Sequence, residues 1–261
     1  MDVKKDYHSP LSMTRRVLRE GTFNARDAGG YPLANGGWLP EGRLYRSDAL
    51  SALTQNDLEE FSRLGIRTVI DLRDTKEVDG APDILDRQNV RYERIPIFED
   101  RLFERDLKNF PTLLGQYQII MDEHVHQLVR VLKVLAETSG DPVLVHCTAG
   151  KDRTGLILAL THALAGLAPD VILGDYAASE QILTDKFEQR VRELYRQVAL
   201  PEEILGANPR HAPPAYLERT LESIQAKSGS ISVFLEENGF ERAEHERLAA
   251  NLTNPNSPTQ G

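Results

Sequence analysis

The stretch VLVHCTAGKDRTGLILAL, Val143 to Leu160, decides the fold. Together with Pro142 it opens as PVLVH, a short aliphatic and β-branched run of the kind that forms a buried strand. CTAGKDR reads as a loop, and TGLILALTHALAG as a buried helix. Cys147, the one cysteine of the chain, thus stands at the carboxyl end of a strand and faces the amino end of a helix. In open α/β sheets ligands settle in crevices at such ends, and a helix amino terminus with unpaired N–H groups attracts anions. The same field lowers a thiol's pKa. Free cysteine titrates near ~8.5, whereas one beside cations at a helix amino end falls to roughly 3.5–7.5. Lys151 and Arg153 are those cations, and the planar fork of Arg153 matches two phosphate oxygens. One loop therefore holds a nucleophile and an oxyanion clamp.

Outward from this loop, strand-like runs alternate with helix-like ones. Arg67 to Leu72 (RTVIDL), Val90 to Ile97 (VRYERIPI) and Pro142 to His146 are the candidate strands. TQNDLEEFSRLG predicts a helix capped by Thr54, with Asp57 at its third position, Gly65 closing it, and Leu58, Phe61 and Leu64 on one face. After the charged EDRLFERDLKNFP, the run IIMDEHVHQLVRVLKVLAETSG predicts one helix ended by Gly140. This order argues for an α/β fold with a largely parallel central sheet flanked by helices. From Ala168 the pattern is helical throughout, and the tail NPNSPTQG reads as disordered. The expected organisation is one domain over 1–261, with an α/β core over 21–168, a helical part over 169–252, and a tail over 253–261.

Composition sets bounds. With 261 residues and 40% hydrophobic content the chain can bury a full core. A net charge of −9 disfavours a field-driven hold on nucleic acid or anionic lipid, though a local basic pocket is allowed. The start carries no apolar leader, and the longest apolar stretch, Leu156 to Ala168, is too short to span a bilayer. One cysteine permits no internal disulfide, which fits a reducing compartment. These features predict a soluble, cytoplasmic protein with no stable membrane insertion; export without a signal and the oligomeric state stay open.

Two plainer readings compete for the loop. A lone cysteine is usually a small core hydrophobe, but Lys151, Asp152 and Arg153 within six residues would then have to be desolvated unpaired. A nucleotide-binding GxxxxGK[ST] loop fails, because Asp152 follows Lys151 and no glycine stands five residues before Gly150.

His146-Cys147-x5-Arg153-Thr154-Gly155 resembles the HCx5R(S/T)G signature of the cysteine-dependent protein tyrosine phosphatase superfamily. HCTAGKDRTG is more closely similar to the loop of its bacterial and fungal tyrosine/serine phosphatase group, the group of mycobacterial phosphatase B. FNARDAGG at Phe23 to Gly30, LYRSDAL at Leu44 to Leu50 and GIRTVIDLRDTKE at Gly65 to Glu77 resemble it too, as do GDYAAS near Tyr176 and GSISVFLEENGF, so the likeness covers most of the chain. It implies hydrolysis of phosphotyrosine, with phosphoserine, phosphothreonine or phosphoinositide as further substrates, through a phosphocysteine and without a metal or other cofactor. Cys147 would attack phosphorus. The N–H groups of Thr148, Ala149, Gly150, Lys151, Asp152 and Arg153, with the Arg153 guanidinium, would hold the phosphate oxygens. His146 would orient the loop, and Thr154 would hydrogen-bond the sulfur. The cationic Lys151 also favours a multiply charged headgroup.

The general acid is left between Asp152, favoured by the resemblance, and Asp100, at the end of a strand in RYERIPIFED; each also reads plainly as a paired or solvated charge. Asp71 and Arg73 in DLRD would brace the loop or form a structural ion pair, and Arg26 and Asp27 would fix the amino-terminal segment. His124 and His126, beside Asp122 and Glu123, form an HxH pair, but residues two apart on a helix do not share a face, which argues against a metal site. His162 reads as a satisfied core histidine. Some helices between Glu180 and Arg219 would, by the resemblance, close over the pocket as a lid, although ordinary amphipathic packing explains the same pattern. Two alternatives of another kind remain: an inactive pseudophosphatase that binds a phospho-ligand, and a rhodanese-like sulfur transferase, which Arg153-Thr154-Gly155 suits less well.

Overall fold

A computed structural model describes residues 15–99, 101, 111–197 and 208–253. Asp100 and the tail beyond Thr253 lie outside the described residues. The expected α/β architecture is present as a five-stranded sheet: β1 Arg26–Asp27, β2 Leu44–Ser47, β3 Thr68–Asp71, β4 Arg91–Arg94 and β5 Val143–His146. Its order is β1-β2-β5-β3-β4, with β1 antiparallel to β2 and every other pairing parallel.

β5 is the central strand. Val143 and Val145 face one apolar cluster, which includes Ile70 and extends to Leu217 and Leu248 near the carboxyl end. Leu144 faces a second with Tyr45, Val69 and Phe61. Both faces are covered, so the run is apolar without alternation. β2 is a strand that periodicity does not reveal. All four of its residues are buried although two are Arg46 and Ser47, and charge in a sequence ordinarily signals solvent.

The helices are α1 Gln55–Arg63, α2 Thr75–Gly80, α3 Leu113–Glu123, α4 Val125–Ala136, α5 Asp152–Ala165, α6 Pro169–Ile182, α7 Asp185–Gln197, α8 Pro214–Ser228, α9 Ile231–Glu237 and α10 Arg242–Thr253. α1 begins as expected. The Thr54 side chain accepts from the Asp57 N–H and the Asp57 carboxylate answers on the Thr54 N–H, a reciprocal capping box, while Gly65 leaves the helix at φ +66°. The single helix expected around His124 is instead two, because His124 takes φ −125°, outside the helical range, between α3 and α4. Thr253 closes α10 and does not belong to a tail.

Candidate active site

β5 ends at His146, α5 starts at Asp152, and residues 147–151 curl between them. The curl is held from outside by its carbonyls. Asn24 Nδ2 donates to Ala149 O at 2.9 Å and to Gly150 O at 3.0 Å. Arg46 Nη2 donates to Gly150 O at 2.6 Å, and the Ala49 N–H to Thr148 O at 3.3 Å. The carbonyls of Thr148, Ala149 and Gly150 are thus all taken by donors outside the loop. Gly150 makes the tight bend: φ is +61°, and a Cβ there would lie 2.3 Å from Ser47 O.

The Cys147 sulfur is buried. Burial alone would push its pKa up, but the Arg153 guanidinium and the neighbouring Thr154 outweigh it, so the thiol sits below its ordinary value. Arg153 is gripped by Glu77 from α2, Nη1 to Oε2 at 2.6 Å and Nη2 to Oε1 at 2.7 Å. The Thr148 hydroxyl donates to the same carboxylate, as does the Asp74 N–H at 3.0 Å. Burial would raise the Glu77 pKa; Arg153 and these donors bring it below the usual value. The residues 74–77, Asp-Thr-Lys-Glu, carry the signature of a helix start, the one sequence signal that could have placed Glu77.

Glu77→Gln is expected to cost about 3 kcal/mol in urea unfolding, since it leaves a buried guanidinium without its counter-charge. Because the folded-state pKa lies below the unfolded one, this contribution is present above about pH 5 and fades as acid protonates the carboxylate. Equal stability of variant and parent at neutral pH would show that the pair contributes nothing.

Beneath the loop His146 joins a buried cluster. Its Nδ1 lies 3.4 Å from Cys147 O and its Nε2 3.1 Å from Asp83 Oδ2. Arg73 spans both oxygens of Asp71 at 2.8 Å and reaches Asp83 at 2.9 Å. The Tyr92 hydroxyl lies between them, 2.7 Å from Asp71 Oδ2 and 2.8 Å from Asp83 Oδ2, with one hydrogen to give. Burial opposes a charge on His146, but Asp83 and Asp71 prevail and raise its pKa. Asp71 and Arg73 thus form the ion pair that the sequence allowed, next to His146. Asp71, Asp83 and His146 also lie close enough to share a cation, and the Arg73 guanidinium already stands between the carboxylates.

Arg26 and Arg46 share Asp175 on α6, and Arg46 carries on to the loop at Gly150. Burial first, then Arg46, brings the Arg26 pKa down to about 10. Asp27 accepts from the N–H groups of Gly29 at 2.7 Å and Gly42 at 2.6 Å, tying the amino-terminal segment as expected.

Lys151 and Asp152 are placed less simply than the motif suggests. The Lys151 ammonium is buried, donates to Pro209 O and His211 O at 2.7 Å each, and lies 3.5 Å from Asp152 Oδ2. It faces this strap of chain and not the curl. Glu180 holds the strap through His211 Nδ1 at 3.2 Å and the Ala212 N–H at 2.9 Å, and Arg210 ties it to Asp185 on α7 at 2.8 Å. α7 itself covers the loop: Phe187, Val191 and Tyr195 pack with Phe23 and Ala149, and Tyr195 is close enough to feel Glu77, Arg153 and Cys147. Beside it a cleft of about 420 Å³ is lined by Thr148, Phe23, Ile84, Phe187 and Arg190.

His124 and His126 are not on opposite faces. The break before α4 lets His124 Nδ1 reach Glu99 Oε2 at 2.9 Å and His126 Nε2 reach Glu99 Oε1 at 3.2 Å. The argument from helical spacing fails here because His124 is not helical. His162 is buried, donates from Nε2 to Ala28 O at 2.8 Å, and packs edge-on to Tyr31, as a core histidine should.

The model of the tyrosine phosphatase family matches residues 18–254. The chain belongs to that family. The phosphatase is 34% identical to a tyrosine-protein phosphatase of Nostoc commune over 56% of its own length and 51% of the relative's, so this match spans about half of that protein. It is 31% identical to a Cupriavidus necator protein also named as a tyrosine-protein phosphatase, over 81% of this chain and 80% of that one. It is 27% identical to the triple specificity protein phosphatase PtpB of Mycobacterium tuberculosis, over 87% and 95%. Its substrates are thus phosphorylated molecules. Among the described residues no helix is long and apolar enough to cross a membrane.

Proposed function

We propose that this phosphatase hydrolyses phosphotyrosine monoesters, and phosphoserine, phosphothreonine or phosphoinositide as further substrates, through a phosphocysteine intermediate that needs no metal. The observation that carries the reading is geometric: Cys147 follows the last residue of a central strand, at the start of a curl that runs into α5, whose Arg153 is held in plane by Glu77. Arg153 and Thr154 draw the thiol below its ordinary value against the pull of burial. A thiolate attacks phosphorus as the S–P bond forms and the P–O bond to the leaving group breaks. The loop N–H groups and the guanidinium receive the charge on the equatorial oxygens. Asp152 protonates the departing oxygen, then takes a proton from the water that cleaves the thiophosphate and returns Cys147 as thiolate. Asp152 stands at the amino end of α5, within five residues of the sulfur in sequence, and its side chain is 27% exposed; this favours it over Asp100.

The wider substrate range draws on the name of the mycobacterial relative. α7 packs on the loop and the strap at Pro209–Ala212 holds Lys151, which supports reading these elements as a lid over one domain.

Purified protein is expected to turn over p-nitrophenyl phosphate in EDTA and to be blocked by vanadate. Loss of activity on chelation together with indifference to vanadate overturns the mechanism. Asp152→Asn should remove the basic limb of the kcat profile and lower kcat about 10²-fold or more; if Asp100→Asn does so instead, the acid is reassigned.

A further inference from the structure

Two tyrosines absent from the loop converge on its carboxylate. The Tyr117 hydroxyl, from α3, lies 3.2 Å from Asp152 Oδ1, and the Tyr176 hydroxyl, from α6, lies 3.4 Å from the same oxygen. The two hydroxyls are 2.8 Å apart. Both side chains are buried, at 0% and 1% exposure. Their approach is built in by Gly155, where a Cβ would fall 2.7 Å from the Tyr176 ring. Burial first, and the Asp152 charge among other causes, hold both phenols well above their ordinary pKa, so both remain protonated. Between them the hydroxyls carry two hydrogens. One closes the bond from tyrosine to tyrosine and the other is left for Asp152 Oδ1.

We propose that Tyr117 and Tyr176 are a positioning pair for the general acid: by donating one hydrogen bond to Asp152 Oδ1 they lock the carboxyl and leave Oδ2 to carry the proton to the leaving group. This rests on Asp152 being the acid. The pair itself exchanges no proton with substrate. The geometry gives the two oxygens unequal roles, because Oδ1 is directed at buried phenols while Oδ2 lies toward Lys151, 3.5 Å away. A carboxyl free to spin would present its protonated oxygen to the leaving group only part of the time.

The test measures kcat and KM against pH for the full chain and its Tyr117→Phe, Tyr176→Phe and double variants, on aryl phosphates whose leaving phenols span a wide pKa range, with Asp152→Asn in parallel. Poor leaving groups need the proton and good ones do not. The double variant is therefore expected to lose about 10-fold in kcat/KM on phenyl phosphate and to keep kcat/KM within about twofold on dinitrophenyl phosphate, because kcat/KM reports the step in which the leaving group departs and not the later hydrolysis of the thiophosphate. The retained rate on the activated ester also shows that the variant folds. An equal loss of kcat/KM on every ester, or no loss on any while Asp152→Asn does act, overturns the pairing role alone. If Asp152→Asn changes neither the limb nor the leaving-group dependence, the acid assignment fails and the pairing role falls with it.

Discussion

Cys147→Ser is expected to lower kcat on p-nitrophenyl phosphate by at least about 10⁴-fold while a phosphotyrosine peptide still binds. Serine is close in size and keeps the loop's packing, so Arg153 and the loop amides still meet the phosphate. What disappears is the nucleophile, because a hydroxyl is not ionised by a field sufficient for a thiol. Isothermal titration with the peptide, run beside turnover, separates the two effects. A parent protein that binds the peptide and shows no Cys147-dependent turnover would be a pseudophosphatase. With one cysteine in the chain, the ultraviolet absorbance of the thiolate reports on Cys147 alone. Its midpoint should lie below the ordinary ~8.5, since Arg153 and Thr154 outweigh burial. A midpoint at or above that value removes the basis of the proposed chemistry.

Arg153→Lys is expected to cost about 10²–10³-fold in kcat although it keeps the charge. The guanidinium spans both oxygens of Glu77, so its plane is set before substrate arrives. An ammonium is a point charge on a flexible stem and can neither span the carboxylate nor present two parallel donors to a phosphate. KM should change less than kcat, because charge is delivered to the equatorial oxygens most strongly in the transition state. The thiolate midpoint should rise in the same variant, as the cation nearest the sulfur becomes less well placed. Retention of kcat within threefold would show that Arg153 only counters charge and does not organise the oxygens.

The loop was legible because its chemistry is local: strand, bend, cation and helix start lie within one short window. Glu77 was not, although it stands in a stretch that resembles the family, since nothing in the spacing says that it reaches Arg153. Arg46 hid a strand for a related reason. Its burial depends on Asp175, 129 residues later, and without that partner a charged residue reads as surface. Lys151 was misleading in the opposite sense. Its charge is real, but the carbonyls of Pro209 and His211 claim the ammonium, and backbone carbonyls carry no residue-specific signal. His124 and His126 were separated by a rule that holds only within a helix, and the chain breaks at His124.

By itself, then, the amino-acid order determined the layered α/β class, the place of the thiol at a strand end, and the arginine that lowers its pKa, because hydrophobic period and near-neighbour spacing are written along the chain. Only the tertiary structure decided which acid answers which base: Glu77 for Arg153, Asp83 for His146, Asp175 for Arg46, and the two phenols for Asp152. Coulomb and hydrogen-bond energies depend on distance through space and on the water removed around each group, and neither quantity exists until the chain has folded.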